Sequence, residues 1–195
     1  MTTLRTKIAW LNMAMMLIIL SAYATIRYSQ PPAPAPINST SITEAEIKKE
    51  VKIEQHARAL KKATAAARMV YRKNHVSEKY SEFTAKAALD YGISPRLLAG
   101  LVVIESHGNP RATDHLGSYG LTQVNSKVWG NRRVSPLYDP ETNLRIGASI
   151  LAGYTSRFGL VEGLHHYNGY SEVHGHIYVN KVLTAAGFAV SIPRG

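Results

Sequence analysis

The chain has 195 residues and no cysteine, which excludes disulfides, thiolate metal sites and a cysteine nucleophile and leaves the redox compartment open. Lys and Arg number 23 against 13 Asp and Glu, for a formal net charge of +10. A basic balance suits nucleic acid, anionic lipid or an anionic polymer such as cell wall. The surplus lies before residue 76, however, and no nucleic-acid-binding signature accompanies it, so a DNA- or RNA-reading domain is not indicated.

In chain order, Arg5 and Lys7 precede an uncharged run over residues 8–26, "IAWLNMAMMLIILSAYATI". Nineteen helical residues reach roughly 28 Å, just enough for a bilayer core. The positive start favours an N-in orientation that exports everything downstream. Two readings stay open for residues 1–28. One is a signal anchor that holds the domain outside the inner membrane; the other is a signal peptide cleaved near Ala24, after the small-x-small pattern Ala22-Tyr23-Ala24. Residues 29–42 form a proline-rich linker expected to stay extended and solvated. From Thr43 to about Lys73 the composition, rich in Ala, Glu, Lys and Arg without Gly or Pro, predicts a helix. Its apolar residues Ile47, Val51, Leu60, Met69 and Val70 look too sparse for a core-facing stripe, so 43–74 reads as a solvated spacer.

The compact domain is expected over 75–195. Tyr80, Phe83, Ala87 and Tyr91 sit at helical spacing, with Gly92 as the stop. A second helix starts with Ser94 as cap and Pro95 at its first position and runs through "LLAGLVVIES". A third is capped by Asp139, followed by Pro140, and continues through Leu144, Ala148, Leu151, Tyr154 and Phe158 to Gly159. Two shorter helical stretches follow, around 161–167 and 177–186. Strand alternation is absent. The expected fold class is all-α, about 120 residues, enough for one real core.

Glu105 is the informative residue. Leu98, Leu101 and Glu105 are three and four apart, so the carboxylate extends the stripe that should be buried. It also sits in a last helical turn, where the dipole disfavours an anion. Partial burial and the dipole both favour the protonated form, and a carboxylic acid kept protonated near neutral pH is a general acid. Gly117 and Gly120 allow close backbone approach to a ligand, and Gln123 and Asn125 offer amides suited to sugars. His165-His166 and His174-x-His176 lack a metalloprotease pattern, so no metal or cofactor is expected. Asp139 is better explained as a cap, while Asp114, nine residues beyond Glu105, is a weak second carboxylate.

Together, the glutamate-serine pair, "GSYGLTQVNS", "YDPETNLRIGASILAGYTSRFG" and "HYNGY" resemble the lytic transglycosylases of the goose-type-lysozyme-like fold, in order, over roughly residues 93–183. The resemblance implies Glu105 as catalytic acid and Ser106 as its partner in the cleft. It implies Gln123 as a cleft-lining glutamine, and Tyr167 and Asn168 as the pair beside the reacting sugar. Thr122 stands where the family often has methionine; His166, Gly169 and Tyr170 also depart from its Ala-Tyr-Asn-Ala-Gly block. The implied substrate is peptidoglycan glycan, cut between N-acetylmuramic acid and N-acetylglucosamine with formation of a 1,6-anhydro sugar. The "SYGLTQVNSKVW" version is most similar to members associated with secretion, conjugation and phage entry. Two rivals stay open: a lysozyme-type hydrolase that would use Asp114, and a non-catalytic wall-binding secretion scaffold.

Overall fold

A computed structural model describes residues 13–18, 43–128, 134–169 and 175–189. The linker 29–42 and most of the expected membrane segment 1–28 lie outside them; residues 13–18 form a short helix. Among the described residues no helix is long and apolar enough to cross a membrane. The chain divides into two units, Met1–Lys48 and Lys49–Gly195.

Helix α1, Glu44–Lys73, starts at a reciprocal cap. The Thr43 hydroxyl accepts the Glu46 N–H at 3.3 Å, and the Glu46 carboxylate accepts the Thr43 N–H at 2.7 Å. Ile47, Val51 and Met69 are exposed, as a solvated helix requires. Its last three turns behave differently. Ala63, Ala67, Val70 and Tyr71 are buried, and the Tyr71 hydroxyl bonds the Thr84 hydroxyl at 2.6 Å. The end of the expected spacer therefore belongs to the core of the domain that was expected to start at residue 75. Ala63 and Ala67, two of the four, supply little hydrophobic signal but allow close packing.

A 3₁₀ turn, Glu78–Tyr80, leads into α2, Ser81–Asp90, and then α3, Pro95–Ser106. Pro95 opens α3 as expected, but Ser94 makes no side-chain capping bond. Leu98, Leu101 and Val102 are completely buried, so α3 is the central apolar helix. Each such side chain contributes roughly 1.5–3 kcal/mol of burial. A hairpin of two-residue strands follows, β1 Ser118–Tyr119 and β2 Val124–Asn125, with Ser118 opposite Asn125. It is too short to show alternation in the sequence. A short α4, Val134–Leu137, precedes α5, Pro140–Phe158, which Asp139 caps through the Thr142 N–H at 2.8 Å. The last helices are α6, Leu160–Tyr167, and α7, Gly175–Ala185.

Two close approaches position the site. A Cβ on Gly100 would meet Ala186 Cβ at 2.7 Å and the Val182 carbonyl at 2.8 Å, so glycine lets α7 lie directly against α3. A Cβ on Gly147 would meet the Thr122 side chain at 2.3 Å, so α5 admits the hairpin loop just as closely. There Asn143, fully buried, acts as a rivet. It accepts the Thr122 N–H at 2.8 Å and donates to the Tyr119 and Leu137 carbonyls at 2.8 and 2.9 Å.

Candidate active site

α3 ends as it must for Glu105 to face inward. His107 takes a left-handed conformation, φ 51°, and its N–H bonds the Val103 carbonyl, which stops the helix one turn past the core. Glu105, one turn beyond Leu101 on the same face, is half-buried and lines a cleft of about 510 Å³. α7 supplies its partner. Tyr178 shares a face with Val182 and lies on the helix that Gly100 admits, and its hydroxyl donates to Glu105 Oε1. Burial pushes the Glu105 carboxyl up from an ordinary 4.5 to about 7; the Tyr178 bond pulls the other way, and the Asp114 charge pushes further up. Burial and the Glu105 charge together raise the Tyr178 hydroxyl well above the usual tyrosine value, so it remains a donor.

Opposite, the loop and hairpin bring Asp114, Ser118, Gln123 and Asn125 to the cleft, and the end of α6 brings His166, Tyr167 and Asn168. Asp114 is exposed and accepts the N–H groups of Leu116 at 3.0 Å and Ser118 at 2.7 Å. Burial, the largest single influence, pushes its carboxyl up, but hydrogen bonding to Ser118, Leu116 and Gly117 together outweighs it and holds the group below the usual range. Gln123 has φ 49° and donates its side-chain amide to the Gly120 carbonyl at 3.0 Å. Tyr167 donates to the Thr122 carbonyl at 2.8 Å, joining α6 to the loop. Burial, reinforced by the Glu105 charge, raises its hydroxyl too. Asn168 caps α6 and is exposed at the cleft.

Of the site residues expected from sequence, Glu105, Gln123, Asn125, Tyr167 and Asn168 meet at this cleft, whereas Ser106 and Gly120 are not among its lining residues. Ser106 Oγ bonds the Leu121 carbonyl at 2.8 Å and accepts the Gly108 N–H at 3.2 Å, pinning the end of α3 to the glycine loop. Gly120, φ +78°, is buried where a Cβ would lie 2.3 Å from Asn143 Nδ2 and the Leu137 carbonyl. Its close approach is to the Asn143 side chain and the Leu137 carbonyl of the protein itself. Asn125 is partly committed as well, since its side-chain carbonyl accepts from Lys127 and Val128 at 3.0 and 3.2 Å. Thr122 is wholly buried and bonded to Asn143, so it offers nothing to a ligand. The His165 and His176 rings pack edge to face at 4.9 Å, and among the described residues no three His, Asp or Glu side chains are placed to hold a metal. Tyr170 and His174 lie outside the described residues.

Two residues of the site carry little signal in the sequence. Nothing local marks Tyr178, 73 positions away, as the partner of Glu105. Asn143 stood inside the quoted "DPETN" stretch; a polar residue one position before the core Leu144 was the available signal.

Residues 82–178 match the family described as the Transglycosylase SLT domain. The chain is 38% identical over 78 residues to a transglycosylase of Enterobacteria phage PRD1, covering 40% of this chain and 29% of the phage protein. It is 31% identical over 85 residues to an endo-type membrane-bound lytic murein transglycosylase A of Klebsiella pneumoniae, covering 38% of this chain and 42% of that one. A membrane-bound lytic murein transglycosylase E of Buchnera aphidicola is 28% identical over 92 residues, 42% of each chain. The chain thus spans less than half the length of each of these relatives. Over residues 82–178, the helical domain of this chain is thus similar to the transglycosylase SLT family.

Proposed function

We propose that the protein is a peptidoglycan lytic transglycosylase that cleaves the β-1,4 bond between N-acetylmuramic acid and N-acetylglucosamine. The observation that carries this is Glu105: a half-buried carboxyl in a sugar-sized cleft, bonded by Tyr178 and raised to about 7. In that range it holds a proton at neutral pH and can release it. Glu105 gives its proton to the glycosidic oxygen as the bond to the muramic C1 breaks, and N-acetylglucosamine leaves with a free 4-hydroxyl. Positive charge on C1 and the ring oxygen is stabilised by the substrate's own acetamido group. The muramic 6-hydroxyl then attacks C1, and its proton passes to the Glu105 carboxylate, which restores the acid. The ring closes as 1,6-anhydro-muramic acid without consuming water. Because the 6-hydroxyl is tethered to the reacting sugar, its high effective concentration replaces a water-holding carboxylate.

Gln123, Asn125 and Asn168 offer amides to sugar hydroxyl and acetamido groups, and Tyr167 walls the cleft beside Glu105. Ser106 and Gly120 act by shaping the loop. The domain works on the outer side of the inner membrane, held there or released by its N-terminal segment. Its setting is local wall opening in secretion, conjugation or phage entry, the last supported by the likeness to a phage transglycosylase.

Mass spectrometry of muropeptides released from sacculi tests the reaction. The expected products end in 1,6-anhydro-muramic acid, about 18 mass units, one water, lighter than hydrolysed ends. Mainly reducing ends would make the protein a lysozyme-type hydrolase instead, with Asp114, which lines the same cleft, as the group to test for activating water.

A further inference from the structure

A second groove, of about 570 Å³, runs along the outer face of α5. Thr142, Arg145, Ser149, Gly153 and Arg157 form its floor, and Tyr91, just past α2, stands at its edge. Ile150 and Tyr154 line both this groove and the catalytic cleft, so the two share a wall. That wall is an aromatic stack. Phe158, in the groove, lies 4.1 Å from the His166 ring, which lines the cleft, and His166 stacks on Tyr154 at 5.5 Å. His166 is one of the positions at which this chain departs from the family's Ala-Tyr-Asn-Ala-Gly block.

The charge of the groove is one-sided. Among the described residues no acidic side chain lines it, while two guanidinium groups do. Arg145 is oriented by an ion pair with Asp90 and by the Tyr91 ring, 5.9 Å from its guanidinium carbon. One N–H goes to Asp90, and a guanidinium carries five. Arg157 lies over the Phe158 ring at 5.0 Å. Arginines held in this way are suited to grip carboxylates. They stand twelve positions apart in α5, about 18 Å along the axis. An extended peptide of five residues spans about the same length.

Gly153 supplies an independent observation. It is exposed in the interior of a long helix, where glycine is unfavourable relative to alanine. Neither crowding nor a left-handed backbone accounts for it, since a Cβ there would meet nothing within 4 Å. What a larger side chain would do is fill the groove.

We infer that the α5 groove binds the carboxylate-bearing peptide attached to the muramic sugar of the strand that the cleft cuts, so that peptide-bearing glycan is held at two places. This rests on the proposed action on peptidoglycan. A glycan stripped of its peptide keeps only the lactyl carboxylate beside each muramic ring, whereas the peptide carries several carboxylates along a chain long enough to meet both arginines and leaves the sugar within reach of the cleft.

The test is a binding measurement, so that it does not depend on turnover. The full chain carrying Glu105→Gln is titrated with peptide-bearing glycan strands and with the same strands stripped of peptide by an amidase. The expected preference for peptide-bearing strands is about tenfold or more, the scale of one good charge-assisted contact. Adding Arg157→Gln or Gly153→Trp should remove most of that preference and leave the affinity for stripped strands unchanged; Gly153→Ala should retain it. Equal affinity for the two strands, a preference that survives both changes, or a loss shared equally by stripped strands would overturn the inference. Failure of the proposed reaction shows separately, as an absence of anhydro products from the unaltered protein on stripped strands.

Discussion

Two carboxylates, Glu105 and Asp114, line the same cleft, and the protein treats them oppositely. Glu105 ends an apolar helix, loses water to the packing of α3 against α7, and meets a single hydroxyl donor. Asp114 sits on an exposed loop and is wrapped by backbone N–H groups. The first environment disfavours the charge and lifts the carboxyl to about 7; the second stabilises it and keeps the carboxylate ionised. Two acids in one cleft thus differ in proton affinity through their surroundings alone. The spacing of Leu98, Leu101 and Glu105 already puts Glu105 on the buried stripe of α3.

The largest effect expected from breaking this contrast follows Glu105→Gln. Proton transfer from a placed acid is worth about 10²- to 10⁴-fold, so wall cleavage should fall at least a hundredfold in a dye-release assay while binding to sacculi persists. Retained activity above about a hundredth would remove Glu105 from the acid role. Tyr178→Phe should lose about tenfold, the scale of one hydrogen bond to a charged group. Because the Tyr178 bond lowers the Glu105 carboxyl, its removal should also move the alkaline limb of the pH–rate profile to higher pH. Asp114→Asn should cost less than about tenfold, as expected of a carboxylate outside the acid role. It should move the same limb the opposite way, to lower pH, since the Asp114 charge raises Glu105. Limbs moving together in the two variants would contradict the electrostatic account.

The smallest effect is on stability. A carboxyl raised in the folded state binds more protons folded than unfolded, so its contribution is fully present below about 4.5 and is lost as pH rises through about 7. Glu105→Gln removes that loss. At pH 8 it should raise the melting temperature by a few degrees, on the order of 1–2 kcal/mol once partial exposure is allowed for. Below about pH 4.5 the difference from the unaltered protein should vanish. A variant less stable at pH 8 would mean that the carboxylate is welcome where it sits.

What could be read without coordinates had a local physical cause. The Asp139-Pro140 cap, the glycine stop after α5 and the apolar run of α3 each state their structure within a few residues. The burial of α1 was hidden because Ala63 and Ala67 pack through smallness rather than hydrophobicity. The hairpin was hidden because two-residue strands carry no period. Of the residues singled out by motif position, Glu105, Gln123, Asn125, Tyr167 and Asn168 share one cleft, but the motifs do not say how each is held. Ser106 and Gly120 serve the loop from the inside, and the hydroxyl that faces Glu105 comes from α7 through a packing contact that Gly100 permits. Long-range contacts of this kind leave no trace in spacing.

The most direct test of the central claim is a carbon-13 NMR titration of the side-chain carboxyls of the full chain, with Glu105→Gln and Asp114→Asn used to assign the two signals. The account predicts one carboxyl titrating near 7, absent from the Glu105→Gln spectrum, and an Asp114 signal titrating below the usual aspartate range. Both carboxyls titrating in the ordinary range, or Asp114 as the higher of the two, would contradict it.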